Sequence, residues 1–142
     1  MSPMLLKWKS VKLHHSTIWD MLQNKKTLVI GATPKTERYG YMATEMLHKK
    51  GHDVVPYGIK KGNIGSLNIR NQWPTDTDFH TITLYINKQL QTQYIDRILA
   101  LKPHRIIFNP GTENIELFQL AEHKNITPIN ACTLVLLQTN QF

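Results

Sequence analysis

Short apolar runs alternate along the chain with segments in which apolar residues recur every three or four positions. Thr27–Ile30 is a run of strand length, and residues 41–50 follow with Met42, Ala43, Met46 and Leu47 on one helical face and Gly51 placed to end the helix. Residues 53–57 predict a second strand. Residues 58–78 are the least regular: Gly62, Gly65 and Pro74 break the pattern, while Ile64, Leu67, Ile69 and Trp73 anchor it, which predicts a short helix or an ordered loop. A third strand is expected over 81–86. A helix over 91–101 follows, with Tyr94, Ile95, Ile98 and Leu99 facing inward and Pro103 closing it. Arg105–Phe108 is a fourth strand. Thr112 is a candidate cap for the next helix, whose first turn holds Glu113 and Glu116 and whose last turn holds His123 and Lys124, charges that suit both ends of its dipole. Residues 126–129 form a fifth short strand whose Pro128 places it at a sheet edge. A last helix over 131–137 can fold Leu134, Val135 and Leu137 back on the sheet.

Strands alternating with helices of about ten residues require a parallel sheet with right-handed crossovers, covered on both faces. The fold class expected is therefore α/β: a Rossmann-like three-layer α/β/α domain with a five-stranded parallel sheet in the order 3-2-1-4-5. In such a sheet a ligand lies beyond the carboxyl ends of the strands where the order reverses, here between strands 1 and 4.

Length and composition narrow the picture. A chain of 142 residues suits one domain, and 41% hydrophobic with 19% charged residues is ordinary for a globular protein. No apolar run approaches the roughly 18 residues needed to cross a bilayer. The first 24 residues set Lys7, Lys9 and Lys12 against a single acid, Asp20, and show no strand alternation. They read as an appended segment with a short amphipathic helix around 18–22, ahead of a domain over 25–142, and Met21 is an alternative start for that domain. The one cysteine, Cys132, cannot form an intramolecular disulfide, and the seven histidines have no spacing suited to zinc. Both features point to a reducing, cytoplasmic setting, in which the glycosylation pattern at Asn125 has no use. The formal charge of +7 favours anionic partners. Its lysines lie in dispersed pairs without a DNA-reading motif, which disfavours nucleic acid and leaves a phosphorylated small molecule, with a homodimer or a protein partner still open.

The loop after the first strand carries the candidate chemistry. Gly31 is followed by eight residues before Gly40, so the Gly-x-Gly-x-x-Gly dinucleotide fingerprint is absent. Thr33, Lys35, Thr36 and Arg38 nevertheless supply hydroxyls and cations, and a helix starting near Gly40 supplies free backbone N–H groups for an anion. The alternative is a polar surface turn. After strand 2, where NAD-binding domains place an acid for the ribose, this chain has Lys60 and Lys61, which favour a ligand with a further phosphate near its adenosine, such as NADP or coenzyme A. No Ser-His-Asp or Cys-His set can be assigned from spacing, Asp76 and Asp78 read as turn residues, and Gly51 interrupts the helix that His48 and His52 would need to share a metal.

Five motifs in order, GAT-x(4)-RYG at 31–40, PYGIKKG at 56–62, DFHTITLYIN at 78–87, IIFNPGTEN at 106–114 and INACTLVLL at 129–137, resemble the small CoA-binding-domain proteins. These are stand-alone relatives of the amino-terminal CoA-binding domain of the succinyl-CoA synthetase alpha subunit. The resemblance covers about residues 25–142. It implies that coenzyme A or an acyl-CoA lies across the carboxyl edge of the sheet. Gly31, Ala32, Thr33, Arg38 and Tyr39 would then surround phosphates, Lys60 would meet the nucleotide end, and Asn87, Pro110, Gly111 and Thr112 would line the crevice. Cys132 matches a cysteine that follows the last strand in relatives. It is either a thiol activated at a helix start, able to exchange with the CoA thiol, or a small buried hydrophobe. The synthetase's phosphohistidine and acyl-phosphate machinery lies in domains absent from these residues, so the resemblance implies binding without catalysis. The alternative is an oxidoreductase or redox sensor using NADP(H).

Overall fold

The computed structural model describes residues 23–142, so the helix expected at 18–22 and the alternative start at Met21 lie outside the described residues. Five strands, β1 (Thr27–Ile30), β2 (Val54–Tyr57), β5 (Thr81–Leu84), β6 (Arg105–Phe108) and β7 (Thr127–Asn130), form one parallel sheet in the order β2-β1-β5-β6-β7. Its two faces are both apolar. Leu28, Ile30, Ile82, Leu84, Ile106 and Phe108 meet α3 (Ile95–Ala100) and α4 (Ile115–His123), while Val29 and Val54 share the opposite core with Leu47 of α1 (Tyr39–Lys49) and Leu137 of α5 (Thr133–Gln138). This period-two division of β1 between two cores makes the three layers, as expected for a Rossmann-like α/β fold. β7 is an edge strand with Pro128, paired only with β6.

The neighbours of β1 differ in one respect from the expected arrangement. The strand at Thr81–Leu84, expected third and outside β2, lies directly against β1, with Ile30 opposite Leu84. The outside of β2 is taken by the segment read as irregular. Arg70 N–H donates to Pro56 O at 2.8 Å and Gly58 N–H to Arg70 O at 3.0 Å, a parallel bridge that stands as a rudimentary third strand. Before it, β3 (Asn63–Ile64) and β4 (Leu67–Asn68) form a small antiparallel hairpin where a short helix or loop was expected. The order therefore reverses between β1 and β5, and the crevice moves there with it. Asp76 and Asp78, read as turn residues, both bind Lys26 at 2.8 Å and pin the return of this segment to β1. The helix expected over 91–101 starts earlier, where Asn87 caps α2 (Lys88–Gln91) by accepting the Leu90 N–H, and α2 is separated from α3 by tight turns in which Thr92, Gln93 and Tyr94 N–H donate three residues back, to Gln89, Leu90 and Gln91 O.

Parallel register also aligns the residues that precede each strand. Lys25, His52, His80, His104 and Arg105 gather at the amino edge, with the His80 and His104 rings 5.1 Å apart. Burial, then the charges of Arg105, His104, Lys25 and His52, push the His80 imidazole from 6.5 down to about 4. Folded His80 thus stays neutral where the unfolded chain takes up a proton. Its contribution is fully present above pH 6.5 and declines as pH falls toward 4, and His52, also lowered mainly by burial, acts in the same direction. We expect a loss of about 1–2 kcal/mol across that window, allowing for the partial exposure of the ring. Urea unfolding at pH 7 and pH 4.5 measures it, and His80→Gln should flatten the profile; an equally steep profile in the variant would place the effect elsewhere.

Candidate functional site

Three backbone connections bring the turns at the carboxyl edge together. Tyr57 O accepts both the Gly31 and Ala32 N–H groups at 3.0 Å, tying the turn after β1 to the end of β2. Tyr85 N–H donates to Ile30 O at 2.8 Å, tying the turn after β5 to β1. Gly31 adopts φ +98°, and a Cβ there would stand 2.7 Å from Tyr85 O, so both its conformation and the close passage of β5 require glycine. Asn71 Nδ2 donates to Gly58 O at 2.7 Å and Lys60 O at 3.0 Å, which fixes the turn carrying Lys60. On the other side Gln91, fully buried, donates to Ile86 O at 3.0 Å and Thr112 O at 2.7 Å and accepts from Asn114 Nδ2 at 2.9 Å. One side chain thus holds the turns after β5 and β6 in fixed relation.

Between these turns lies a crevice of about 630 Å³, within the roughly 300–1,000 Å³ usual for small-molecule sites. Gly31, Ala32, Thr33, Arg38, Tyr39, Lys60, Asn87, Pro110, Gly111 and Thr112 all line it. Cys132 does not: it is the residue before α5, partly exposed, and its side chain makes no cap hydrogen bond. Two of the lining side chains are committed to the loops themselves. The Asn87 carboxamide caps α2, and the Thr112 hydroxyl donates to Asn109 O at 2.8 Å. The cap of α4 expected at Thr112 is Asn114, which accepts the Leu117 N–H at 3.3 Å.

The geometry adds Lys35, Tyr57, Ile59, Tyr85, Ile86, Leu90 and Tyr94 to the lining. Tyr57, Tyr94 and Trp73 pack as a cluster, with Trp73 stacked on Tyr94 at 5.6 Å and Tyr57 edge-on to both. Their apolar periodicity marks them as core, which they are, so nothing in the sequence distinguishes the faces that also reach the crevice. Lys35, in contrast, was legible as a loop cation.

The electrostatics favour an anion. Contact with the Lys35 ammonium, reinforced by the charge of Arg38, pulls the Lys60 ammonium below its ordinary value. α1 begins at Tyr39 with no side-chain cap and no acid in its first turn, so its first N–H groups are left to the crevice, whereas α2 and α4 are capped by Asn87 and Asn114. Burial pushes the Tyr85 phenol well up, and its hydroxyl has no hydrogen-bond partner among the described residues. Burial and the neighbouring Tyr94 phenol likewise raise Tyr57. Among the described residues that line the crevice there is no carboxylate, histidine or thiol. The set can hold phosphates and an apolar arm.

Among the described residues no helix is long and apolar enough to cross a membrane, and no group of three His, Cys, Asp or Glu could hold a metal. Comparison with curated proteins gives no match. A crystal structure of an uncharacterized protein is similar at 48% identity and a TM-score of 0.82, over 84% of this chain and 98% of the other. A Thermus thermophilus protein (15% identity, TM-score 0.72, 90% and 98% of the two chains) and a hypothetical protein from Pyrococcus horikoshii OT3 (20%, 0.74, 88% and 89%) share the fold. The family model described as CoA binding domain matches residues 25–138, and the chain belongs to the CoA-binding-domain family.

Proposed function

We propose that this chain binds coenzyme A or an acyl-CoA in the crevice and catalyses no reaction on its own. The observation that carries the reading is the anion-holding array at the point where the sheet order reverses. There Lys35, Arg38 and Lys60 converge with the uncapped start of α1 over the turn at Gly31. Coenzyme A concentrates its three phosphates at its adenosine end and leaves a neutral pantetheine arm, a distribution that matches cations at one side of the crevice and apolar side chains at the other. The absence of an acid-base pair or thiol in the described lining supports binding without chemistry. Cys132, outside the lining, has no part in this reading. The domain on this view spans residues 25–142, with 1–24 appended, in a cytoplasmic setting.

Replacing Arg38 and Lys60 together by Ala should weaken CoA binding by about 1–3 kcal/mol, the worth of two partly exposed charged contacts. Calorimetric titration reads this directly, and unchanged affinity would put the ligand elsewhere. Lys60 also favours a second reading, NADP(H), whose extra phosphate would meet the same cations. Competition and direct titration decide between them: NADPH should fail to displace bound CoA at equal concentration, and binding of NADPH with no binding of CoA would reverse the assignment.

A further inference from the structure

Sheet order fixes the order of the crevice walls. The turns after β2 and β1 form one end and those after β5 and β6 the other. With strands about 4.8 Å apart, the four turns extend over roughly 14 Å. Among the described residues, every cation lining the crevice, Lys35, Arg38 and Lys60, belongs to the first two turns. The last two present Ile86, Leu90 and Pro110 and no charge. A negative charge is tied to that end through the lining residue Gly111: both carboxylate oxygens of Glu113 accept the Gly111 N–H, Oε2 at 3.2 Å. Lys88, the first residue of α2, is exposed and outside the lining.

A ligand whose phosphates rest on the cationic end directs the rest of its length toward this uncharged end. We propose that the β5–β6 end of the crevice receives the sulfur terminus of the ligand and selects a free thiol or an uncharged acyl group over an acyl group that ends in a carboxylate. The inference rests on the CoA reading above. A terminal carboxylate there would lose water against Ile86, Leu90 and Pro110, find no cation among the described lining residues, and approach Gly111, on which the Glu113 carboxylate is held, so both desolvation and like charge oppose it. An alkyl chain of the same length meets only apolar surface.

Butyryl-CoA and succinyl-CoA make the test, because their acyl chains match in length and differ in the terminal carboxylate. Calorimetric titration with CoA, butyryl-CoA and succinyl-CoA should show the first two within about threefold of each other and succinyl-CoA weaker on the order of tenfold or more, at low salt where the charge effect is least screened. Leu90→Lys, at an exposed position, should bring succinyl-CoA to within about threefold of butyryl-CoA by supplying the missing cation. Equal or tighter binding of succinyl-CoA by the unaltered protein, or no change of preference in Leu90→Lys, overturns the selectivity while leaving CoA binding intact. Failure of CoA itself to bind overturns the reading beneath it.

Discussion

Gly58→Ala should cost about 3 kcal/mol or more of stability and lower the midpoint of thermal unfolding by roughly 10 °C. A Cβ on Gly58 would stand 2.1 Å from the carbonyl oxygen of Ala32, and neither atom is the end of a flexible side chain. The turns after β1 and β2 must therefore part. Parting them strains the Gly31 and Ala32 bonds to Tyr57 O and the Gly58 bond to Arg70 O, each 3.0 Å long. The damage falls where Lys60 is set beside Lys35 and Arg38, so the folded fraction should also bind CoA more weakly. Gly51→Ala is the control. Gly51 has φ +86° but nothing within 4 Å of its added Cβ, so it should lose only the roughly 1–2 kcal/mol of a left-handed residue and leave binding unchanged. Chemical denaturation with calorimetry separates the two; a Gly58→Ala protein within 0.5 kcal/mol or so of the parent would mean that the two turns can part at almost no cost.

The contrast between these glycines shows what was legible beforehand. The run Thr27–Ile30 and the alternation of strands with helices identify the layers, because each buried strand and each amphipathic helix writes its own period into the chain. Neighbours in the sheet leave no such mark. Thr81–Leu84 is equally apolar whether it lies outside β2 or against β1, and the edge of β2 is taken instead by Arg70, whose single bridge leaves no strand-like pattern in the sequence. In the site, the cations and the turn at Gly31 could be named because loops between buried strands expose their polar residues. Gly58 gave no signal of its own, since its need for hydrogen at Cα comes from Ala32, a residue 26 positions earlier in another turn. Tyr57 and Tyr94 were concealed by serving the core and the crevice with different parts of one side chain.

Gln91 is the residue that sequence reasoning has least chance of finding, since a glutamine at the start of a predicted helix reads as solvent-facing. Gln91→Leu, which keeps the approximate shape, should cost about 3–5 kcal/mol. It leaves Ile86 O, Thr112 O and the Asn114 carboxamide without the partners they now have, at roughly 1–3 kcal/mol for each buried group. Water can reach Ile86 O, which is only partly buried, so the greater share of the loss comes from Thr112 and Asn114. Part of that share should be common to Asn114→Leu, because the two side chains bond to each other. In a double-mutant cycle the pair is therefore expected to lose less than the sum of the single losses, by about 1 kcal/mol or more. The same bonds fix the turn after β5 against the turn after β6, so a folded Gln91→Leu protein should bind CoA more weakly although Gln91 lies outside the crevice lining. Loss of stability without loss of affinity would show that the two turns keep their spacing unaided. Additive losses in the cycle would show that Gln91 and Asn114 act separately, and that the network is two independent loop anchors.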